Sequence, residues 1–132
     1  MKNKVLIYCF AIFALAYSCK EKTESEIKIV SPEEMQTLLE LEDVQLVDVR
    51  TPEEYKTGYI EYSQNIDFLS PTFDDDISQL DKRKPVIVYC KSGMRSAKCS
   101  KKLQAAGFVK IYDLDGGITQ WKYEGNEIKT ID

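Results

Sequence analysis

From Ile27 onward, short apolar runs alternate with amphipathic stretches, the rhythm of βαβ units around a parallel sheet. Ile27–Val30 predicts a first strand. Ser31-Pro32-Glu33-Glu34 then supplies a helix start, with Ser as N-cap, Pro at the first helical position and Glu34 closing a capping box. Met35, Leu38 and Leu39 give that helix its apolar face. Val44–Val49 predicts a second strand, and Thr51-Pro52-Glu53-Glu54 repeats the helix-start chemistry before Gly58 stops a short helix. Asn65–Phe68 predicts a weaker strand, Phe73–Leu80 a helix, and Asp81–Pro85 a turn. Pro85–Tyr89 is the most hydrophobic run, as expected of a central strand buried on both faces. A helix over Arg95–Ala106 ends at Gly107, Lys110–Leu114 makes the last strand, and Gly116-Gly117 opens a short helix through Trp121.

The chain before Ile27 follows a different pattern. Lys2 and Lys4 precede an uninterrupted apolar run, Val5–Tyr17. As a helix this run would span only about 20 Å, short of the roughly 30 Å of a bilayer core. Residues 1–18 therefore read as a signal peptide, and Cys9 within it as an apolar filler. Ala16-Tyr17-Ser18-Cys19 resembles the lipobox of bacterial lipoproteins, in which the cysteine becomes the lipidated first residue of the mature chain. An ordinary secretory signal and an uncleaved anchor are the competing readings. Residues 19–26 are polar and read as a flexible tether, which leaves 27–132 as one domain. The expected location is the bacterial cell envelope, with the domain exported and held at the membrane through a lipid on Cys19.

Composition narrows the chemistry. The chain carries 18 Lys+Arg against 22 Asp+Glu and has a pI near 5.0, which argues against a nucleic-acid binder relying on a strong basic field. Removing residues 1–18 takes Lys2 and Lys4 and no acid, so the mature balance is 16 against 22, a net −6. There is no histidine, so a Ser-His-Asp triad, a Cys-His pair and a His-ligated metal are all excluded within this chain. Four cysteines remain, and nucleophilic chemistry is expected to run on a thiolate.

Cys90 is the candidate. It follows the central strand and precedes a helix, at the end of a parallel sheet where ligands bind. The sequence from there is Cys90-Lys91-Ser92-Gly93-Met94-Arg95-Ser96. A tight loop around Gly93 would turn successive amides toward the sulfur, and the helix would aim its positive end at the same point. Both lower a thiol pKa. Lys91 and Arg95 add positive charge in an otherwise acidic domain. Against this stands a buried structural thiol closing a strand, which the loop context disfavours. Cys99 falls with Leu103 and Ala106 on one helix face and reads as a core residue. The alternative, a resolving thiol for Cys90, requires the helix start to unwind.

Three stretches together resemble the single-domain rhodaneses, a family of sulfurtransferases. They are Leu46-Val-Asp48-Val-Arg50-Thr-Pro-Glu-Glu54-Tyr55, Val88-Tyr-Cys90-Lys-Ser-Gly93-Met-Arg95-Ser96 and Asp115-Gly116-Gly117-Ile-Thr-Gln-Trp121. With the spacings between them they cover essentially all of residues 28–125. The resemblance implies an α/β fold with a five-stranded parallel sheet flanked by helices on both faces. It implies that Cys90 carries a sulfane sulfur as a persulfide, cradled by the amides of Lys91, Ser92, Gly93, Met94 and Arg95. Asp48 and Arg50 match positions that support structure, with Arg50 expected to pair with Glu53 or Glu54. The related dual-specificity phosphatases and some arsenate reductases have a loop one residue longer than Cys90–Arg95, so loop length favours sulfur transfer over oxyanion chemistry. After Gly58 the family usually reads His-Ile-Pro-Gly-Ala, where this chain has Tyr59-Ile60-Glu61-Tyr62-Ser63.

The expected function is transfer of a sulfane sulfur from thiosulfate or a persulfide donor, through a Cys90 persulfide, to a thiol or cyanide acceptor. No metal and no organic cofactor are implied, and the domain is expected to be a monomer. Two rival readings are a non-catalytic persulfide carrier or binding module of the envelope, and a small oxyanion reductase or phosphatase.

Overall fold

The computed structural model describes residues 25–132. The expected signal peptide, the lipidation site Cys19 and the tether up to Glu24 lie outside the described residues. Among the described residues no helix is long and apolar enough to cross a membrane.

Among the described residues, five strands and five helices alternate: β1 Ile27–Val30, α1 Pro32–Leu41, β2 Gln45–Asp48, α2 Pro52–Thr57, β3 Gln64–Asn65, α3 Phe73–Ile77, β4 Val86–Tyr89, α4 Met94–Ala105, β5 Ile111–Leu114 and α5 Gly117–Tyr123. The sheet order is β1-β5-β4-β2-β3, and every pairing is parallel. The expected parallel α/β fold is thus present, with β4 at its centre and all four of its residues buried.

Period-two alternation divides the core into two layers. Val47, Val86, Val88, Cys90 and Ile111 face α3 and α4, meeting Phe73, Ile77, Cys99 and Leu103. Leu46, Ile87, Tyr89, Tyr112 and Leu114 face the other way, against Met35, Ile60, Ile118 and Trp121. Both capping boxes form: Ser31 with Glu34 on α1, and Thr51 with Glu54 on α2.

Several boundaries differ from the pattern-based expectation. The strand expected over Asn65–Phe68 pairs regularly only at Gln64–Asn65. At this point the Asn65 Nδ2 donates to the carbonyls of Asp48 and Arg50, adding side-chain bonds beside the backbone. Beyond it, the amides of Ile66 and Phe68 still reach Asp48 O and Val49 O. The helix expected over Phe73–Leu80 closes at Ile77 and continues as a hydrogen-bonded turn to Leu80. Where the family has Pro-Gly, Ile60–Ser63 still makes a turn closed by Ser63 N donating to Ile60 O (3.0 Å). Its third residue, Tyr62, has φ 68°, left-handed backbone that a tyrosine rarely adopts.

Candidate active site

Cys90 directly follows β4, and the chain turns through Lys91–Gly93 into α4. Gly93, at φ 114°, is the N-cap of that helix and supplies the left-handed step that tightens the loop. This step brings the Gly93 amide to 3.1 Å from Cys90 Sγ, and the Ser96 hydroxyl lies 3.6 Å from the same sulfur. Ser96 Oγ in turn donates to Gly93 O, and Ser100 Oγ donates to Ser96 O, which ties the helix start to the loop.

These contacts shift the acidity of the thiol. Burial pushes the Cys90 thiol up, but the Ser96 hydroxyl, the Ser96 amide and the amides of Gly93 and Ser92 together outweigh it. The result is a thiol held below its ordinary value. Cys99 shows the opposite balance. Enclosed under α4 with no such donors, it is pushed up to about 12, mainly by burial. Of the two described cysteines, one lies in a loop whose donors lower its thiol pKa and the other packs as a small apolar residue.

The loop rests on residues far along the chain. The amides of Ile118 and Thr119 donate to Cys90 O (2.9 Å) and Lys91 O (3.1 Å). Gly117 makes that approach possible: at φ 59°, a Cβ there would stand 2.4 Å from Cys90 O and 2.6 Å from Lys91 O. The sequence pattern identified this glycine only as the opening of a helix.

Charge near the loop is arranged differently from the expectation. Arg95 makes two hydrogen bonds to Glu54, at 2.6 and 2.8 Å, so its charge is balanced by a carboxylate from α2. That pairing holds Glu54 well below the usual carboxylate range, at about 2. Lys91 is exposed and forms no ion pair among the described residues. Ser92 and Met94 lie on the exterior of the loop, with Met94 exposed.

Arg50 does not pair with Glu53 or Glu54. It folds back onto Asp48, with Nη2 2.6 Å from Oδ2 and 2.7 Å from Gly58 O, and both partners are buried. Asp48 Oδ1 also accepts from the Arg50 amide at 2.9 Å, which fixes Asp48 as the local partner. Tyr89 lies under this pair, with its hydroxyl 3.1 Å from Ile60 N and 2.9 Å from Ser63 Oγ. Tyr59, at the family's histidine position, stacks on Tyr55 at 4.5 Å.

A parallel α/β domain that presents one low-pKa thiol in a tight, amide-lined loop is the build of a sulfur-handling or oxyanion-handling protein. Comparison with known proteins resolves which: residues 31–124 match the model of the rhodanese-like domain, and the chain belongs to that family. It is 36% identical over 98 residues to the thiosulfate sulfurtransferase GlpE of Pseudomonas fluorescens, covering 74% of this chain and 87% of that one. It is 31% identical to the Bacillus subtilis protein YqhL, across 98% of each chain. Among solved structures, it superposes on a rhodanese-like domain protein from Staphylococcus aureus with a TM-score of 0.68 and 32% identity, covering 80% of this chain and 99% of the other. The polysulfide-sulfur transferase homodimer of Wolinella succinogenes gives a TM-score of 0.67 at 31% identity, with 80% of each chain covered.

Proposed function

We propose that this protein is a sulfurtransferase that works through a persulfide on Cys90. The observation that carries this reading is the Gly93 amide donating to Cys90 Sγ at 3.1 Å, with the Ser96 hydroxyl 3.6 Å from the same sulfur. These contacts favour a thiolate in a chain with no imidazole to generate one. In the first step the Cys90 thiolate attacks the outer sulfur of thiosulfate. A new S–S bond forms, the old one breaks, and sulfite leaves with its electron pair. In the second step a thiolate or cyanide attacks the outer sulfur of the persulfide and returns Cys90 as thiolate. Charge balances in both steps, and no external oxidant or reductant enters.

Lys91 attracts the anionic donor, and Arg95, held by Glu54, braces the loop while adding little net field. The loop amides serve the terminal sulfur as they serve the thiolate. The working location in this proposal is the cell envelope, with Cys19 as the lipid anchor.

Cys90→Ser tests the chemistry. The variant is expected to lose thiosulfate:cyanide transfer, and wild-type protein treated with thiosulfate to gain the mass of one sulfur atom on the Cys90 peptide. Turnover by the serine variant would overturn the reading. The intact mass of protein purified from membranes tests the anchor: an unlipidated Cys19 would reject it.

A further inference from the structure

A hollow of about 580 Å³ lies away from Cys90, and the sulfur-transfer scheme does not use it. It opens on the α1 and α5 face of the sheet, whereas Cys90 packs in the α3 and α4 layer. Val44 enters it just before β2 begins, while Cys90 follows the end of the parallel β4, so the two stand at opposite ends of the sheet. Its apolar lining is Leu39, Val44, Ile60 and Trp121, of which Ile60 and Trp121 are almost fully buried and form a fixed floor. Two ties hold the walls. Gln36 Nε2 donates to Asn126 Oδ1, which joins α1 to the chain after α5, and Trp121 Nε1 donates to Glu127 O at 2.9 Å. A preformed, apolar-floored cavity of this size is in the range that holds ligands.

Two features of its rim say what the occupant is. Apolar side chains stand exposed there: Tyr62 lines the hollow at 87% exposure, and Leu41, between the lining residues Glu40 and Glu42, is 78% exposed. Tyr62 holds that place from left-handed backbone, against the preference of its residue type. The rim is also acidic, with Glu40, Glu42, Asp43, Glu61 and Glu127. Lys84 pairs with Asp43, Lys110 with Glu42, and Lys129 is shared between Glu61 and Glu127. Five carboxylates thus meet three lysines, and Glu40 forms no ion pair among the described residues.

We infer that this hollow docks a segment of a partner protein in which apolar side chains alternate with lysine or arginine. The apolar side chains cover Ile60, Trp121 and Tyr62, and the cations meet the surplus carboxylates of the rim. Other occupants fit the charge less well. A second copy laid face to face would bring the same carboxylates together. An anionic lipid surface or a small anionic sulfur donor is repelled by them in the same way. Docking at this site leaves the Cys90 loop uncovered, so the partner and a sulfur donor do not compete for space.

Trp121 is the chain's single tryptophan, so its fluorescence reads this floor directly. Full-length protein is titrated with two peptides of about ten residues, free of tryptophan and tyrosine, one alternating leucine with lysine and the other leucine with glutamate. The leucine–lysine peptide is expected to shift Trp121 emission and to bind about tenfold more tightly, an advantage that salt at about 0.5 M removes. Glu40 is exposed near the end of α1, where a cation suits the helix dipole, so Glu40→Lys keeps the fold. It is expected to weaken the leucine–lysine peptide about fivefold, with Glu40→Gln in between. Equal affinity for the two peptides, or an affinity that Glu40→Lys leaves unchanged, overturns the inference. Self-association of the protein that the peptide dissolves would give the face to a second copy and overturn it too. The inference does not depend on the persulfide reading: thiosulfate:cyanide transfer is expected to be the same with and without peptide, and its absence alongside intact binding would count against the sulfurtransferase reading alone.

Discussion

Glu54→Gln isolates the charge of the pair that braces the loop. Glutamine can still complete the capping box on α2, since the box requires only an acceptor oxygen on the Thr51 amide. What disappears is the carboxylate that receives Arg95 at 2.6 and 2.8 Å. The Glu54 carboxyl lies at about 2, against an ordinary 4.5, chiefly because of the Arg95 hydrogen bonds. At about 1.4 kcal/mol per pH unit that gap would correspond to ~3 kcal/mol. The side chains are 23% and 31% exposed, so solvent screening reduces this to about 1–2 kcal/mol. Because the folded-state value is depressed, the contribution is fully present above about 4.5 and is lost as pH falls toward 2. Urea unfolding at pH 7 is expected to show the variant less stable by that amount, and the gap to shrink as pH falls to 3. Superimposable curves at pH 7, or a gap that does not change with pH, would refute the argument. The freed Arg95 charge should also lower KM for thiosulfate at low ionic strength, an effect that added salt removes.

Two further substitutions probe the loop's supports. Gly117→Ala sets a methyl against two backbone carbonyls in a left-handed residue, and is expected to cost about 2–4 kcal/mol in urea unfolding and to cut Cys90 persulfide yield in the fraction that remains folded. Unchanged persulfide yield would show that the loop does not depend on the close approach of α5. Tyr62→Gly relieves left-handed strain at an exposed turn residue, at the expense of glycine's greater unfolded-state freedom. A net gain of about 0.5 kcal/mol is expected, seen as a Tm rise of roughly 2–4 °C. A lower Tm would mean that the tyrosine side chain makes up for its backbone.

The strands were legible because their apolar runs are short, continuous and bounded by Pro, Gly and Asp, as at Pro85–Tyr89. Both capping boxes were legible because Ser/Thr-Pro-Glu-Glu is a local signal, complete within four residues. Partners that are distant in sequence were not. Glu54 was available to Arg50 on spacing alone, and only the packing of α2 beside the start of α4 gives it to Arg95. Ser96 was visible next to Arg95, but its reach to the sulfur depends on the turn at Gly93. Asp113 sat in an apolar strand pattern, and its burial arises from the register of β5 against β4. The run beyond Asn65 looked like strand because Ile66 is buried and the amides of Ile66 and Phe68 still bond to β2 and the residue after it, though without regular pairing.

The sheet joins its first strand to its last, and the reactive loop is seated on the helix that follows that last strand. During synthesis, Cys90 emerges well before Ile111 and Gly117 exist. A ribosome-bound or prematurely ended chain therefore holds the thiol without the contacts from α5 that shape its loop. The shape of the Cys90 loop is thus a property of the finished chain. A truncation before Gly117 is expected to yield an ordinary, unactivated cysteine, not a weakened enzyme.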